Sequence, residues 1–121
     1  MFKITGNTIH CTRGDKGTIN LQIPLTDTTY YQFLTTDKVV FTVKSKFNDA
    51  TPKIRKIVEF IEPTNTASII LTEKDTTIDS LIKEPTVYYY DISLNENETV
   101  IGYDEDGGKE FILYPEASND N

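Results

Sequence analysis

The chain has 121 residues, 12 Lys and Arg against 19 Asp and Glu, and a net charge of −7. A chain of this length forms one domain that buries a core without disulfides. Its single cysteine and single histidine cannot supply the four ligands of a structural zinc site. The acidic balance argues against nucleic acid and against an anionic membrane as partners, because both attract clustered Lys and Arg.

Residues that favour β-structure dominate the composition. Ile, Val, Thr, Tyr and Phe together supply 51 residues, whereas Ala, the best helix former, supplies three. We therefore predict an all-β protein.

The first half of the chain contains four predicted strands. Short strands are expected at residues 2–5 and 8–13, on either side of the Gly6-Asn7 turn. Residues 19–25 alternate between apolar and polar, which predicts one core face. The expected core residues of that strand are Ile19, Leu21, Ile23 and Leu25. Residues 39–43 are apolar on both faces, so we expect a central strand there.

The middle of the chain predicts a hairpin and a very short helix. Residues 54–61 and 68–72 are expected to pair through a turn at 63–66, where Pro63 cannot donate to a strand ladder. Residues 75–77 are suited to cap at most one helical turn over residues 78–81.

The last third predicts one long strand followed by a second hairpin. Residues 87–94 alternate between a core face and an outer face of the strand. Each tyrosine hydroxyl on the core face should reach a hydrogen-bond partner at the rim. The expected core residues of that strand are Tyr88, Tyr90, Ile92 and Leu94. Turns at 95–97 and 106–108 then predict that strands at 99–103 and 110–114 pair with each other.

These elements predict an all-β, immunoglobulin-like antiparallel β-sandwich of about eight or nine short strands. The single domain is expected to span residues 1–115, and the acidic tail at 116–121 is expected to fray.

Charge is distributed unevenly along the chain. Residues 38–56 carry a net charge of +5, whereas residues 98–121 carry −6. One interpretation is that the basic strand edge of one copy meets the acidic hairpin of another, head to tail. The candidate protein-contact residues are Lys44, Lys46, Lys53, Arg55, Asp104 and Asp106. The alternative is that these charges are simply solvated, with the lysines protecting an edge strand.

The sequence offers no assembled catalytic group. His10 and Cys11 are adjacent, so on a strand they point to opposite faces and cannot act as base and nucleophile. The remaining candidates for acid–base chemistry are loop carboxylates, which usually solvate a fold. We therefore expect no enzyme, no catalytic or metal residues and no cofactor.

Arg13-Gly14-Asp15 matches the integrin-binding tripeptide, a signal that often arises by chance. Gly14 and Asp15 are expected instead to shape the turn into the following strand.

Three tyrosines suggest a second kind of surface. Tyr30, Tyr31 and Tyr89 are candidates for a glycan-stacking platform, because aromatic faces pack on the apolar faces of sugar rings. The alternative is that they serve sheet packing or a protein contact.

Several short stretches resemble small tail and baseplate modules of bacteriophages, and in particular the N-terminal immunoglobulin-like module of phage baseplate upper proteins. The resemblance covers roughly residues 3–115. The stretches that carry it lie at residues 4–9, 12–15, 37–44, 70–72, 75–76 and 89–94.

This resemblance implies a non-catalytic virion structural protein, assembled in the bacterial host cytoplasm, that acts by protein–protein contact. Its expected partners are other phage tail or baseplate proteins, or further copies of itself in a homo-oligomer, with no nucleic acid and no membrane. The first residues lack the apolar core of a signal peptide, so export is not expected. The sequence stops soon after the module, which favours an accessory or adaptor role over receptor binding. The alternative function is a carbohydrate-binding module for bacterial surface glycans.

Overall fold

The computed structural model describes residues 1–46, 48–80 and 82–116. Within these ranges nine strands and one helical turn follow one another. The strands are β1 (Phe2–Thr5), β2 (Thr8–Thr12), β3 (Gly17–Leu21), β4 (Lys38–Lys44), β5 (Ile54–Glu59), β6 (Ala67–Leu71), β7 (Thr86–Leu94), β8 (Glu98–Ile101) and β9 (Lys109–Tyr114), with the helix α1 (Glu73–Thr76) between β6 and β7. The predicted all-β fold and strand number are confirmed.

The strands form two sheets. A seven-stranded sheet has the order β1-β2-β9-β7-β4-β5, and β8 also pairs with β7, while β3 and β6 form a separate antiparallel pair. Strand β2 runs parallel to β9, with His10 opposite Ile112. The prediction of purely antiparallel sheets is therefore wrong at this pair, because strands far apart in sequence need no tight turn and can meet in either direction. The immunoglobulin-like topology remains a prediction.

The core lies between the two sheets. Side chains of both sheets belong to one buried apolar cluster, including Ile69 of β6 and Phe41 of β4. Strand β4 lies between β5 and β7, and its run of apolar residues is buried on both faces, as predicted for 39–43. The buried members of that run are Val39, Val40, Phe41 and Val43.

Strand β7 places its alternating residues as predicted. The residues of its core face that are buried are Tyr88, Tyr90, Ile92 and Leu94. Both tyrosine hydroxyls find partners: that of Tyr88 donates to Asp79 Oδ2 at 2.5 Å and that of Tyr90 donates to the Asn7 carbonyl at 2.7 Å. Burial raises the pKa of Tyr90 to about 12.

Both predicted hairpins of the later chain are wrong. Strand β5 pairs with β4 and β6 pairs with β3, so the turn at 63–66 connects the two sheets. Strands β8 and β9 both pair with β7, on the edge opposite β4, and lie end to end instead of side by side. Only an isolated bridge between Asp104 and Gly107 remains of the second hairpin. A turn brings two segments near each other, but their apolar faces decide which neighbour they join.

Three smaller expectations also differ. Strand β3 ends at Leu21, so Leu25 is exposed instead of belonging to the core. The helical turn begins earlier than predicted because Thr72, not residues 75–77, caps it: its hydroxyl accepts from the backbone N–H of Asp75. Glu116 of the predicted tail is held by an ion pair, and residues 117–121 lie outside the described residues.

Candidate functional site

A groove crosses the outer face of the large sheet. Its floor is formed by outward-facing residues of β4 and β7, and its wall is formed by the loop between β8 and β9, residues 102–108. Two adjoining open hollows share Tyr89, Tyr103 and Gly108. We call it the lysine–tyrosine groove. Its defining residues are Thr42, Lys44, Lys46, Tyr89, Asp91, Tyr103, Gly108 and Lys109.

Two glycines let the loop approach the sheet closely. A Cβ atom at Gly108 would lie 2.9 Å from Tyr89 Cδ1 and 3.6 Å from Tyr103 Cδ2, so both rings lie beside this bare stretch of backbone. A Cβ atom at Gly102 would lie 2.7 Å from Thr99 Cγ2. A side chain at Gly108 would meet the Tyr89 ring, so the missing Cβ atom at this position lets the loop pack against the floor of the groove.

The charges of the groove are partly balanced inside it. Burial by the groove walls raises the pKa of the Asp91 carboxyl, while the nearby Lys44 ammonium opposes that rise. Lys109 Nζ donates to Asp104 Oδ1 at 2.7 Å, which holds the pKa of Asp104 below its ordinary value. Lys46 makes no ion pair with a described residue, and its backbone N–H donates to Asp49 Oδ2 at 3.1 Å. The groove therefore carries charges of both signs that form no ion pair with a described residue: the ammonium groups of Lys44 and Lys46 and, on the turn beside Gly107, the carboxylate of Asp106.

The three tyrosines predicted as a glycan platform do not share one surface. Tyr31 packs edge-on against Phe33 and donates its hydroxyl to Asp37 Oδ2 at 2.7 Å, beside the start of β4. Tyr89 lies at the other end of that strand, opposite Lys44. At about 3.3 Å per residue the two sites are roughly 20 Å apart. Tyr30 belongs with Tyr31, in the loop before Phe33, and is exposed.

The six predicted contact residues divide into two groups. Three are bound to partners within the chain: Lys53 Nζ to Asp79 Oδ1 at 2.6 Å, Arg55 to Glu96 at 3.2 Å, and Asp104 to Lys109. The other three make no ion pair with a residue that the structure describes, and these are Lys44, Lys46 and Asp106. The basic segment and the acidic turn also lie on the same groove in one molecule, since Lys46 and Gly107 line the same hollow.

Arg13 forms a buried ion-pair network that we call the Arg13 clamp. Its Nε donates to the Ile78 carbonyl at 3.0 Å, one terminal nitrogen donates to the Asp79 carbonyl at 2.8 Å, and the other pairs with Glu116 Oε1 at 2.6 Å. The carboxylate of Asp79 accepts a hydrogen bond from Lys53 Nζ and another from the Tyr88 hydroxyl. These two bonds, that of Lys53 above all, lower the pKa of Asp79. Because Arg13 is buried, the tripeptide it begins does not present an exposed guanidinium.

A second notable surface lies where the loops 24–36 and 60–64 meet. Backbone hydrogen bonds join Phe33 and Thr64 in both directions, and the Phe33 and Phe60 rings stack at 4.9 Å. We call this the loop end. Its exposed apolar residues are Leu25, Tyr30, Leu34 and Ile61, and the side chain of Ile61 is fully exposed.

Asp37 holds the loop end in place. Its carboxylate accepts from Asn95 Nδ2 at 2.9 Å, from the Leu34 backbone N–H at 2.8 Å and from the Tyr31 hydroxyl. These hydrogen bonds, that of Asn95 above all, lower the pKa of the buried Asp37 carboxyl.

Cys11 and His10 lie as predicted, on opposite sides of β2. Cys11 is fully buried, and burial raises the pKa of its thiol to about 11, so it is not an activated nucleophile. His10 Nδ1 is hydrogen bonded to the Tyr114 hydroxyl at 2.8 Å.

Sequence reasoning points to three residues of the groove, Lys44, Lys46 and Tyr89, and misses the other five. The missed residues are Thr42, Asp91, Tyr103, Gly108 and Lys109. A signal was present for Tyr103, because Gly102 and the Gly107-Gly108 pair surround it with backbone that can come close to a neighbouring sheet.

Comparison with protein-family models found no match for this chain, and comparison with curated proteins found none either. Over the described ranges, no group of three or more His, Cys, Asp or Glu residues is arranged to hold a metal ion. In the same part of the chain, no helix is long and apolar enough to cross a membrane.

Proposed function

We propose that this chain is a non-catalytic structural protein of a phage or prophage tail or baseplate, in an accessory or adaptor position. It acts by protein–protein contact with other tail or baseplate proteins or with further copies of itself in a homo-oligomer. It acts in the virion and is assembled in the cytoplasm of the bacterial host. The resemblance of residues 3–115 to baseplate modules supplies the phage context, and the loop end supplies the physical argument for contact.

The observation that carries the contact is the exposed apolar loop end. Ile61 is fully exposed, and Leu25 and Leu34 are about half exposed or more. Exposure of an apolar side chain to water is unfavourable, so these residues would gain from burial against a partner. Several exposed apolar residues on two loops that are joined through Phe33 and Thr64 make this end of the domain the candidate for a protein contact.

The loop end is also held in shape before any partner arrives. The Phe33–Phe60 stack, the Phe33–Thr64 backbone pair and the carboxylate of Asp37 fix its two loops. Little conformational entropy then remains to be lost when a partner binds, which favours a specific contact.

The first experiment asks whether the protein is part of a particle. Phage or induced prophage particles from the source strain are purified on a density gradient, and their proteins are quantified by mass spectrometry. We expect this chain at a fixed ratio to known tail proteins, with tail, tape-measure or baseplate genes beside its own. Its absence from intact tailed particles would contradict the proposal.

A pair of variants tests whether the loop end makes the contact. Ile61→Asp places a charge on the loop end, and Ile70→Asp places the same charge on an exposed position of β6. Both side chains are exposed, so neither variant should unfold the domain. We expect Ile61→Asp to reduce incorporation into particles and Ile70→Asp to leave it unchanged. Equal incorporation of both variants would exclude the loop end as the contact.

A second candidate function is saccharide binding in the lysine–tyrosine groove. It is favoured by one observation, two tyrosine rings that both lie close to Gly108, with the hydrogen-bonding side chains of Thr42 and Asp91 lining the same hollow. The platform predicted with Tyr30 and Tyr31 does not form, so this function now depends on Tyr89 and Tyr103. A glycan array probed with the wild type and with Tyr89→Ala tests it. Signal that persists unchanged in Tyr89→Ala would place any saccharide elsewhere.

A further inference from the structure

Acidic residues surround the apolar loop end. Its two loops belong to residues 22–37 and 60–66, and the turn at 95–98 adjoins them because Asn95 Nδ2 donates to Asp37 Oδ1 at 2.9 Å. These three segments contain five of the 19 acidic residues and none of the 12 Lys and Arg residues. They therefore carry −5 of the chain's net charge of −7, while the other residues are almost balanced.

The five carboxylates differ in whether this chain already pairs them. Asp37 is buried and accepts hydrogen bonds from within the chain, and Glu96 pairs with Arg55 at 3.2 Å. Lys38, which borders the same end, lies 4.0 Å from Glu59. The exposed residues whose carboxylates form no ion pair with a described residue are Asp27, Glu62 and Glu98. These three carboxylates remain available to a cation of another molecule.

Two of these carboxylates lie next to exposed apolar residues in the sequence. Glu62 directly follows Ile61. Asp27 lies two residues after Leu25, in a loop that is closed by a hydrogen bond from the Leu25 backbone N–H to the Thr29 carbonyl at 2.9 Å. A partner that covers Ile61 or Leu25 therefore also comes within reach of a carboxylate.

Glu98 brings a third carboxylate close to the loop that holds Tyr30 and Leu34. The pKa of Tyr31 is raised mainly by its hydrogen bond to Asp37 and to a smaller extent by the charge of Glu98, so Glu98 lies near this loop. We infer that the loop end binds a cationic amphipathic segment of a partner protein. Apolar side chains of that segment cover exposed apolar residues of the loop end, and its Lys or Arg side chains meet the three carboxylates. This inference rests on the proposed contact at the loop end and names the chemistry of the partner.

Two other occupants fit less well. Over the described ranges, the acidic residues are not arranged to hold a metal ion. A second copy of this chain also carries a net charge of −7, so repulsion opposes its approach to an acidic end. Its basic segment at 38–56 is partly neutralised, since Lys53, Arg55 and Lys56 are bound to carboxylates of the same chain. A segment of another protein that is rich in Lys or Arg meets neither objection.

The test uses three soluble peptides of equal length with the full chain. An amphipathic peptide of Leu and Lys carries apolar side chains and charge, the same peptide with Gln in place of Lys carries only the apolar side chains, and a peptide of Ser and Lys carries only charge. Binding is measured by calorimetry at low and at high salt, and contacts are mapped by amide chemical shifts. We expect the peptide of Leu and Lys to bind most tightly, with affinity that falls as salt rises and with shifts at residues 25, 34, 61 and 62.

Each other outcome overturns a stated part of the inference. Equal binding of the Leu–Lys and Leu–Gln peptides removes the cationic partner and leaves an apolar contact standing. A Ser–Lys peptide that binds as tightly as the Leu–Lys peptide shows that charge alone is recognised. Shifts confined to the acidic turn at 104–106 show that the peptide responds to the net charge of the chain, and no binding by any peptide removes a peptide segment as the ligand. Salt-sensitive self-association that Ile61→Asp abolishes would make a second copy the occupant.

Two variants of equal charge test the carboxylates. The variant of the loop end carries Asp27→Asn, Glu62→Gln and Glu98→Gln. Its control removes three exposed carboxylates elsewhere that form no ion pair with a described residue, through Glu84→Gln, Glu105→Gln and Asp106→Asn. The first variant should weaken the Leu–Lys peptide by about tenfold, because each exposed ion pair contributes a small part of the affinity, and the control should change it by less than about twofold. Equal weakening in both would show that net charge, and not the loop end, attracts the peptide.

Opposite charges at position 61 separate the chemistry of the partner from the contact itself. Ile61→Asp and Ile61→Lys remove the same exposed apolar side chain, but only the lysine repels a cationic partner. In purified particles we expect Ile61→Lys to be incorporated less than Ile61→Asp, and Ile70→Lys to be incorporated like the wild type. Equal losses for the two variants at position 61 would overturn the cationic partner and keep the proposed contact, whereas no loss for either would contradict the contact.

Discussion

The Arg13 clamp and the lysine–tyrosine groove use the same residue types for opposite purposes. In the clamp, Arg13 and Asp79 each meet several partners from distant parts of the chain, and both Arg13 and Tyr88 are buried. In the groove, Lys46 and Tyr103 face an open hollow. A charged side chain that is paired within its own chain stabilises the fold. A charged side chain without such a pair, as at Lys46, is available to bind another molecule. The following predictions test this division, beginning with the largest effect.

The largest loss of stability is expected for a substitution in the core beneath the groove. Phe41 is fully buried on the core face of β4 and packs near the Tyr90 and Phe111 rings. Phe41→Ala should lower the free energy of unfolding by about 3–5 kcal/mol, because it removes a buried ring and leaves a cavity. Urea unfolding followed by circular dichroism measures the change. A loss under about 1 kcal/mol would mean that Phe41 is not part of the core.

Breaking the Arg13 clamp should lower the free energy of unfolding by less than Phe41→Ala does, but by far more than a substitution in the groove. Arg13→Met keeps much of the aliphatic side chain and removes the contacts to two carbonyls and to Glu116. Because Glu116 is partly exposed and regains water, we expect a loss of about 2–3 kcal/mol. The same urea experiment measures it. A variant as stable as the wild type would show that the clamp is dispensable.

Two aspartates should respond to pH in opposite directions. The folded pKa of Asp79 is lowered, so its contribution is present above the unfolded pKa of about 4 and is lost as pH falls through the folded value. The folded pKa of Asp91 is raised, so its charged form is disfavoured in the folded state above that pKa. Asp79→Asn should therefore destabilise at neutral pH and cost less as the pH falls through the folded pKa of Asp79, whereas Asp91→Asn should be neutral or slightly stabilising at neutral pH.

Thermal unfolding of both variants over this pH range provides the measurement. If Asp79→Asn costs as much in acid as at neutral pH, its carboxylate stabilises the fold by hydrogen-bond geometry and not by its charge.

The smallest effect is expected in the groove. Lys46→Met removes an exposed ammonium that pairs with no described carboxylate. We expect the free energy of unfolding to change by less than about 0.5 kcal/mol. A loss comparable to that of Arg13→Met would remove the distinction between the two regions, because Lys46 would then be part of the stabilising network.

The sequence predicted the local structure better than the long-range pairing. Alternation placed Tyr88, Tyr90 and Ile92 in the core because side-chain direction on a strand depends only on the neighbouring residues. The partners of β5 and β6 could not be predicted from the turn between them, because each strand joins the edge that buries its apolar face, and that edge is formed by other segments.

The same limit applies to the candidate sites. Lys44, Lys46 and Tyr89 were singled out for two separate reasons, basic charge and aromatic faces, and the structure brings them to one groove. Lys53 and Arg55 looked equivalent to Lys46 in sequence, yet they are bound by Asp79 and Glu96, which lie 26 and 41 residues away. Such partners cannot be recognised by local spacing.

The parallel pair of β2 and β9 has a consequence for biosynthesis. The hairpin of β1 and β2 emerges early from the ribosome, but the edge of β2 around Ile9 and Cys11 finds its neighbour only when Phe111 and Leu113 have been made. Before β9 pairs with it, the edge of β2 has unpaired backbone groups and exposed apolar residues. Such an unpaired edge is prone to aggregation. The pairing of β2 with β9 joins segments that are far apart in the sequence, and we expect this long-range contact to limit the rate at which the chain refolds from denaturant.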